Sequence, residues 1–523
     1  MEKILAELEE LRGERQKLED KVTELQALVE YYKEQHRLAQ HKKYGASSEK
    51  TENPNQLLLF DEAENEAVAN KAEPTEKEVT YIRRARPHKE DNFSELPVEK
   101  LVHDLPEEER ACPECGEQMH VMGHDTRREL EIIPAQVRIV EHVREVYSCR
   151  KCEKEGTSVP VTKAPQPESV IKGGIASASF VAHIMTQKYM NGLPLYRQEQ
   201  DFFHNGFMLS RQTMANWIIR SSADWLEPLY ELMKNNLLGE EVLHADETVL
   251  QVLKEVGKAS RSQSYMWLYR TSGVSSKPVV LYEYQPTRSS SHPKRFLAGY
   301  RGYLHADGYS GYHSLSPGIH VVGCWAHARR KFDDAVKSAP PEERSGLLSQ
   351  KGLEFCNKLF ELEREYEEMS PDERHKERLM RSKAVSDEFF AWAQNVNVLP
   401  KSAFGKAVRY ALEQRPYLER VFQDGRLELS NNRAERSIKP FVIGRKNWLF
   451  SNTPKGAKAS SVIYSIIETA KENGLKPFEY LKYLFETMPN VSKETFSALL
   501  PWSETLPAQC RQIQTTDLST SES

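Results

Sequence analysis

The stretch Leu243-His244-Ala245-Asp246 occurs a second time as Leu304-His305-Ala306-Asp307. Each copy closes a short apolar run, which is typical of a buried strand, with an aspartate. A carboxylate at the end of a buried strand is costly unless it has a partner. Two such aspartates favour one shared partner, and a divalent cation is the simplest candidate. The alternative is that each aspartate only caps a turn.

The residues around the two copies predict a mixed sheet. The pattern is three strands, a helix, a strand, a short helix, a strand and a helix. Three consecutive strands indicate an antiparallel meander, and the later helical crossovers indicate parallel neighbours. This order matches the ribonuclease H-like fold, whose first and fourth strands are adjacent. We therefore expect Asp246 and Asp307 side by side.

A third acid, Glu435, lies in a short helix that Ser430 or Asn431 is expected to cap and Pro440 to end. Residues 420–458 contain nine basic and three acidic residues, and this window includes the aromatic residues Trp448 and Phe450. Basic residues among aromatic ones favour a nucleic-acid track through phosphate neutralisation and base stacking. The alternative is a solvated basic helix with one salt-bridged glutamate.

The 523 residues predict a multidomain α+β protein with a ribonuclease H-like α/β catalytic core. Two CxxC pairs and no signal peptide favour a compartment in which thiols stay reduced, hence a cytoplasmic protein. No apolar run is long enough to cross a membrane. The predicted segments are a coiled-coil dimerisation helix (1–48), a flexible linker with a basic arm (49–100), a four-cysteine zinc-binding domain (101–163), a helical domain with a helix-turn-helix (170–238), the catalytic domain (240–465, with a helical insertion at about 340–400) and a C-terminal helical segment and tail (466–523).

The N-terminal segment repeats apolar residues in steps of three and four, from Ile4 to Tyr32, between Glu- and Lys-rich flanks. This heptad pattern predicts a helix that pairs with a second helix, and therefore a homodimer or higher homo-oligomer. The alternative is one amphipathic helix docked on its own chain.

The two CxxC pairs are Cys112/Cys115 and Cys149/Cys152, with alternating apolar residues between them. Four thiolates predict one tetrahedral structural Zn²⁺, and the alternation at Val137, Ile139, Val143 and Val146 predicts hairpin strands. A redox CxxC or two unrelated turns are the alternatives.

Residues 195–218 predict a helix-turn-helix with Ser210 as the N-cap of its second helix. Arg211, Gln212 and Asn216 would then face outward and reach base edges, although the same geometry also packs helical bundles. Farther on, Cys324 and His327 form a CxxH that lacks two further obvious metal ligands, which favours a packing role.

Several long motifs follow one another in a fixed order. They are His-Ala-Asp-Glu-Thr at 244–248, Asp-Gly-Tyr-Ser-Gly-Tyr at 307–312, Cys-Trp-Ala-His-Ala-Arg-Arg-Lys-Phe at 324–332, Asn-Asn-Arg-Ala-Glu-Arg at 431–436 and Ile-Gly-Arg-Lys-Asn-Trp-Leu-Phe at 443–450. With them the chain resembles the DDE transposases of the insertion-sequence sixty-six group, the TnpC type, over nearly its whole length.

The resemblance implies a catalytic triad of Asp246, Asp307 and Glu435 that binds two Mg²⁺ or Mn²⁺ ions. It also implies a bacterial, nucleoid-associated protein whose partners are insertion-sequence ends, target DNA and accessory proteins of the same element. The residues expected to hold phosphates are Arg433, Arg436, Lys439, Arg445 and Lys446.

The predicted function is metal-dependent cleavage and transfer of DNA strands. Two alternatives stay open at this point: a zinc-containing DNA-binding protein with an inactive core, and a nuclease that cuts without joining.

Overall fold

A computed structural model describes residues 136–156, 161–340, 344 and 346–512, together with the single positions 15 and 21. The chain divides into two units, residues 46–164 and residues 1–45 with 165–523. Of the predicted coiled coil, linker and basic arm, only Arg15 and Lys21 are described, and both are helical. Cys112 and Cys115, two of the four predicted zinc ligands, lie outside the described residues.

In the unit of residues 46–164, strand β1 (Val146–Ser148) pairs antiparallel with β2 (Val161–Lys163). Between them, helix α1 (Arg150–Lys154) starts directly after Cys149 and contains Cys152. The second CxxC pair therefore spans the start of a helix that lies between two paired strands.

Of the four alternating residues predicted to form hairpin strands, only Val146 lies in a strand, β1. Val137, Ile139 and Val143 lie outside any strand, and the side chain of Ile139 is 97% exposed. Alternation stabilises a strand only where a neighbouring strand and a packing surface can receive it. Among the described residues of this unit, only β1 and β2 supply such a pair.

The other unit begins with four helices: α2 (Ala178–Tyr189), α3 (Leu195–His204), α4 (Arg211–Ser221) and α5 (Glu227–Leu238). The turn between α3 and α4 uses Gly206 at a φ of +89°, which a side chain would strain. Ser210 caps α4 by accepting a hydrogen bond from the Thr213 amide at 3.2 Å. Two helices joined by a glycine turn, the second with the predicted serine cap, therefore occupy this stretch.

The five-stranded sheet has the order β5-β4-β3-β6-β7. Its strands are β3 (Val242–Gln251), β4 (Gln263–Thr271), β5 (Val280–Gln285), β6 (Gly302–His305) and β7 (Ile319–Val322). β3, β4 and β5 are antiparallel, whereas β6 and β7 run parallel to β3. The first and fourth strands of this unit are thus neighbours, as their order in the sequence predicted.

Two short helices connect the later strands: α6 (Ser291–Phe296) after β5 and α7 (Ser310–His313) after β6. A layer of helices follows β7. It contains α8 (Trp325–Lys337), α9 (Leu348–Glu365), α10 (Pro371–Glu377), α11 (Lys383–Asn395) and α12 (Ala403–Leu418). The helices predicted at about 340–400 are present, and the helical layer continues through α12.

The helices that follow α8 pack with it around one core. The rings of Trp325 and Phe332 lie 5.5 and 5.7 Å from that of Phe389 on α11. Arg378, buried between α10 and α11, pairs with Glu363 at 2.6 Å and donates to the Leu427 carbonyl at 2.8 Å. A buried cation with a carboxylate and carbonyl partners ties the insertion firmly to the segment before α13.

Helix α13 (Asn432–Trp448) is longer than the sequence predicted, because Pro440 lies inside it and does not end it. A proline in a helix interior removes one backbone hydrogen bond and costs about 3 kcal/mol. The apolar face of α13 offsets this cost: Ile438 and Phe441 are buried, and Phe441 packs 5.5 Å from Tyr464.

Two further helices complete this unit: α14 (Pro454–Glu472) and α15 (Pro477–Thr487). The predicted boundary at residue 465 falls inside α14, most of which is buried. On α14, Ser465 and Thr469 accept hydrogen bonds from the amides of Tyr282 and Val280 on the edge strand β5, at 2.8 and 3.0 Å. Two side-chain hydroxyls therefore accept hydrogen bonds from backbone amides that would otherwise be unpaired at the open edge of the sheet.

In the described part of the chain, no helix combines the length and the apolarity that a membrane crossing requires.

Glu283 on β5 makes stability depend on pH. Burial raises the pKa of its carboxyl to about 7, despite the nearby cations Lys234 and Arg295. The unfolded carboxyl ionises at lower pH, so wild-type stability falls as the pH rises toward and through 7. Glu283→Gln should therefore raise the free energy of unfolding by about 2 kcal/mol at pH 8 and change it little at pH 4. Urea unfolding at both pH values measures this, with the exposed Glu388→Gln as control; equal effects at both pH values would contradict it.

Candidate active site

The two aspartates of the repeated tetrapeptide lie on neighbouring parallel strands. His244 is opposite His305 in the register of β3 and β6, so each aspartate lies two residues beyond a paired histidine. Asp246 is inside the longer β3, whereas Asp307 follows the end of β6. Asp246 accepts a hydrogen bond from the Glu247 amide at 2.8 Å, and Asp307 accepts one from the Tyr309 amide at 2.9 Å. The two carboxylates are thus held from the backbone side.

Glu435 joins them from α13, one turn into the helix. One of its carboxylate oxygens lies 3.3 Å from the Arg330 guanidinium, and the other lies 3.7 Å from Nδ1 of His327. Both partners belong to α8, which begins at Trp325 just after β7. Glu435 is therefore positioned between two helices.

The carboxyl of Asp246 is influenced by the charges of the other two predicted acids. Burial first, and then the negative charges of Glu247, Asp307 and Glu435, raise the pKa of Asp246 well above its usual range. Interaction between carboxylates falls with distance and is weak across solvent, so the influence of Asp307 and Glu435 indicates that both lie in the neighbourhood of Asp246. A hydrogen bond from Asn431, at the start of α13, to the Ala245 carbonyl also holds the helix that carries Glu435 next to β3.

The donor set fits a hard divalent cation. Carboxylate oxygens are the ligands that Mg²⁺ and Mn²⁺ prefer. Oε1 of Glu435 is buried and accepts no hydrogen bond within the described part of the chain. Three mutually repelling carboxylates with a buried lone pair left over are what a bound cation would stabilise.

A fourth carboxylate, Glu247, adjoins the triad and was not among the predicted site residues. Its side chain is 2% exposed. It accepts hydrogen bonds from the Tyr312 hydroxyl at 2.6 Å and from Nε of Arg288 at 2.8 Å. The Arg288 guanidinium in turn stacks 4.1 Å over the ring of Tyr309. Glu247 thus ties the Asp-Gly-Tyr-Ser-Gly-Tyr motif to β3.

Below the carboxylates lies a buried pair of stacked imidazoles. His244 and His305 are fully buried, with ring centroids 4.4 Å apart and an angle of 14° between the planes. The Glu428 amide donates to Nε2 of His305 at 3.2 Å. Burial, and then the proximity of His244, lowers the pKa of His305 well below its usual value, so this ring is neutral. The histidines of the repeat are thus structural supports for the aspartates.

Glu428 links this pair to α13. Its carboxylate accepts a hydrogen bond from Nε of Arg433 at 2.6 Å and lies 3.6 Å from Nε2 of His244. Burial opposes ionisation of Glu428, but the nearby His244 and Arg433 outweigh it and hold its pKa well below the usual range. A charged, half-buried pair therefore fixes the start of α13 against the sheet.

Asn431 connects several elements of this site through both its side chain and its backbone. Its Nδ2 donates to the Ala245 carbonyl at 2.8 Å, and its Oδ1 accepts from Nδ1 of His244 at 3.0 Å. Its backbone amide donates to the Cys324 thiol sulfur at 3.2 Å. The side chain was predicted as a possible helix cap, but it makes no capping hydrogen bond. It bridges β3, α8 and α13 instead.

The predicted DNA contacts of the helix-turn-helix are on the surface. Arg211, Gln212 and Asn216 are exposed on α4. Arg211 lies 3.9 Å from the Glu199 carboxylate and over the ring of Tyr196.

On α13, Arg436 and Lys446 are exposed and Lys439 is half-buried. The other two predicted phosphate contacts of this helix have protein partners: Arg433 pairs with Glu428, and Arg445 donates to the Thr248 hydroxyl at 3.2 Å and to the Val249 carbonyl. These two arginines fasten α13 to its surroundings, a role that a count of charges does not reveal.

Replacing Asn431 by alanine should destabilise the protein, because it leaves buried polar groups of Ala245 and His244 without partners. We expect a loss of about 3 kcal/mol in the free energy of unfolding, measured by urea denaturation. Asn432→Ala is the matched control, since the Asn432 side chain makes no hydrogen bond within the described part of the chain. Equal losses in the two variants would show that the bridge contributes nothing.

Comparison with known proteins gives a consistent assignment. The profile described as "Transposase IS66 family" matches residues 173–459, more than half of the chain. Profiles for the zinc-finger binding domain of transposase IS66, for the IS66 C-terminal element and for "Transposase C of IS166 homeodomain" match residues 109–153, 465–502 and 31–101.

Full-length relatives agree with the profiles. The uncharacterized protein y4jD of Sinorhizobium fredii is 31% identical over 517 residues, which cover 95% of this chain and 97% of the relative. The uncharacterized protein y4qI of the same organism is 30% identical, with 78% of this chain and 75% of the relative covered. Together with the profile over residues 173–459, these matches establish that the chain belongs to the IS66 family of transposases.

Proposed function

We propose that this chain binds the ends of an insertion sequence and carries out metal-dependent cleavage and transfer of DNA strands. Asp246, Asp307 and Glu435 are the proposed catalytic carboxylates. The observation that carries the proposal is geometric: Asp246 and Asp307 each lie two residues beyond the paired histidines of the parallel strands β3 and β6, and Asn431 fastens the start of the helix that carries Glu435 to the Ala245 carbonyl. Three acids that come from distant stretches of the chain and lie near the end of β6 favour a shared cation over three separate structural roles.

We further propose that the core is ribonuclease H-like. The strand order β5-β4-β3-β6-β7, with an antiparallel meander followed by two parallel strands, supports this assignment. The predicted helical insertion follows α8 and precedes Glu435 along the chain.

The three carboxylates would hold two Mg²⁺ or Mn²⁺ ions, which supply a nucleophile at neutral pH and stabilise the leaving oxygen of an in-line displacement at phosphorus. The chain's own residues supply the positions. Asn431 and the stacked histidines hold the strands that carry the aspartates. Arg330 and His327 orient Glu435. No covalent intermediate with the protein is required.

DNA would be held by residues that the fold leaves on the surface. We assign base contacts to Arg211, Gln212 and Asn216 of α4, and phosphate contacts to Arg436, Lys439 and Lys446 of α13. Because Arg433 and Arg445 already have protein partners, we assign them a positioning role.

The remaining parts of the chain suit the same function. We propose one structural Zn²⁺ at Cys112, Cys115, Cys149 and Cys152, in the region that matches the zinc-finger profile. We also propose that residues 1–48 join two copies of the chain, and that other proteins of the same element take part.

Asp246→Asn should abolish Mg²⁺-dependent cleavage, with a loss of about a thousandfold or more, and should leave binding to element ends intact. The amide keeps the size of the carboxylate but removes the charge that holds the cation. Cleavage of labelled end DNA and a gel-shift assay measure the two properties. The exposed Asp334→Asn on α8 is the control, and full cleavage by Asp246→Asn would refute its catalytic role.

Strand transfer separates a transposase from a nuclease. The wild-type chain should join pre-cleaved element ends to target DNA in the presence of Mg²⁺, since the same carboxylates serve hydrolysis and transesterification. Cleavage without any joining, even with accessory proteins of the element added, would favour the nuclease alternative.

Cys112→Ser should remove the structural zinc and destabilise the four-cysteine domain, because a structural zinc site is closed by four protein ligands and a serine hydroxyl is a poor substitute for a thiolate. Metal analysis of the purified chain should show one zinc ion fewer than in wild type. Cys510→Ser, at a buried cysteine near the C-terminus, is the control. An unchanged zinc content in Cys112→Ser would count against the site.

A further inference from the structure

A second group of metal-ligand side chains lies next to the carboxylate triad. Cys324, His327 and Glu435 each place one ligand atom within 4.8 Å of the other two. Cys324 directly precedes α8, His327 is in the first turn of α8, and Glu435 comes from α13. The CxxH lacked further ligands when only the sequence was considered. The fold supplies one of them from more than a hundred residues away.

The atoms of this group are short of partners. Nδ1 of His327 and Oε1 of Glu435 are buried, and neither makes a hydrogen bond within the described part of the chain. They lie 3.7 Å apart. A buried polar atom without a partner is unfavourable, so two of them side by side point to a ligand between them. Cys324 is buried, and its sulfur accepts the Asn431 amide hydrogen at 3.2 Å, an interaction that also supports metal-bound thiolates.

The chemistry of the three donors differs from that of the triad. A thiolate and an imidazole are soft and intermediate donors that suit Zn²⁺, whereas Mg²⁺ takes oxygen ligands. Three protein ligands leave the fourth tetrahedral position for water. Ligand atoms around a tetrahedral zinc are about 3–4 Å apart, so small side-chain rotations would suffice here.

We propose that Cys324, His327 and Glu435 bind Zn²⁺, and that this ion inhibits the enzyme by competing with the catalytic cation for Glu435. The inhibitory half rests on the proposed function; the binding half does not. A carboxylate that binds zinc has less negative charge available for a second cation, and the zinc ion repels a neighbouring dication. Glu435 would thus serve two exclusive metal sites, one that supports cleavage and one that stops it.

The binding half is tested by counting zinc in the full chain. After dialysis against a low concentration of free Zn²⁺, the wild-type chain should hold one more zinc ion than the Cys324→Ser or the His327→Ala variant. Cys356→Ser is the matched control, because Cys356 is also a buried free cysteine but lies on α9, away from this group. Two variants are used so that misfolding of one, checked by circular dichroism, does not decide the result. Equal zinc content in wild type and in a folded variant would overturn the site.

The inhibitory half is tested by titrating Zn²⁺ into Mg²⁺-dependent cleavage, with each variant normalised to its own rate without zinc. The zinc concentration that halves the rate should rise by about tenfold or more in Cys324→Ser and stay at the wild-type value in Cys356→Ser. Raising Mg²⁺ should relieve the inhibition of wild type. Identical inhibition of Cys324→Ser and wild type would refute the competition. A wild-type chain that cleaves no DNA in Mg²⁺ would instead count against the proposed function, while the zinc count would still decide the binding site.

Discussion

The parallel pairing of β3 with β6 is the constraint on which the site depends. β6 stops at His305, whereas β3 continues beside β4, so Asp246 and Asp307 emerge together where one strand ends. Placing two carboxylates there is unfavourable, and Glu435 adds a third negative charge. The stacked histidines and Asn431 beneath them supply the rigidity that holds these acids in place despite their repulsion.

Much of this arrangement could be predicted from the sequence, because its signals are local or repeated. Each strand of the sheet is a buried apolar run, and the identical spacing from His244 to Asp246 and from His305 to Asp307 makes the register of β3 and β6 readable. Other features could not be predicted. Asn431 has the residue type of a helix cap, and only the folded chain shows that its side chain bridges His244 and the Ala245 carbonyl instead.

Long-range packing decided the remaining differences. Pro440 carries a strong local signal to end a helix, but the apolar face of α13 and its packing on Tyr464 outweigh that signal. The alternation from Val137 to Val143 predicted strand residues, but these residues lie outside any strand. A count of charges found a basic window around α13, yet it could not show that Arg433 and Arg445 are already paired. For the same reason, the order of residues in the sequence could not show that Glu435 lies next to Cys324 and His327.

The insertion is attached through Arg378 and through the aromatic rings around Phe389. This attachment has a consequence for the surroundings of Glu435. The same helix, α8, carries Trp325 and Phe332 on its buried side and presents His327 and Arg330 to Glu435. A substitution that shifts the packing of the insertion against α8 would therefore also shift His327 and Arg330 relative to Glu435.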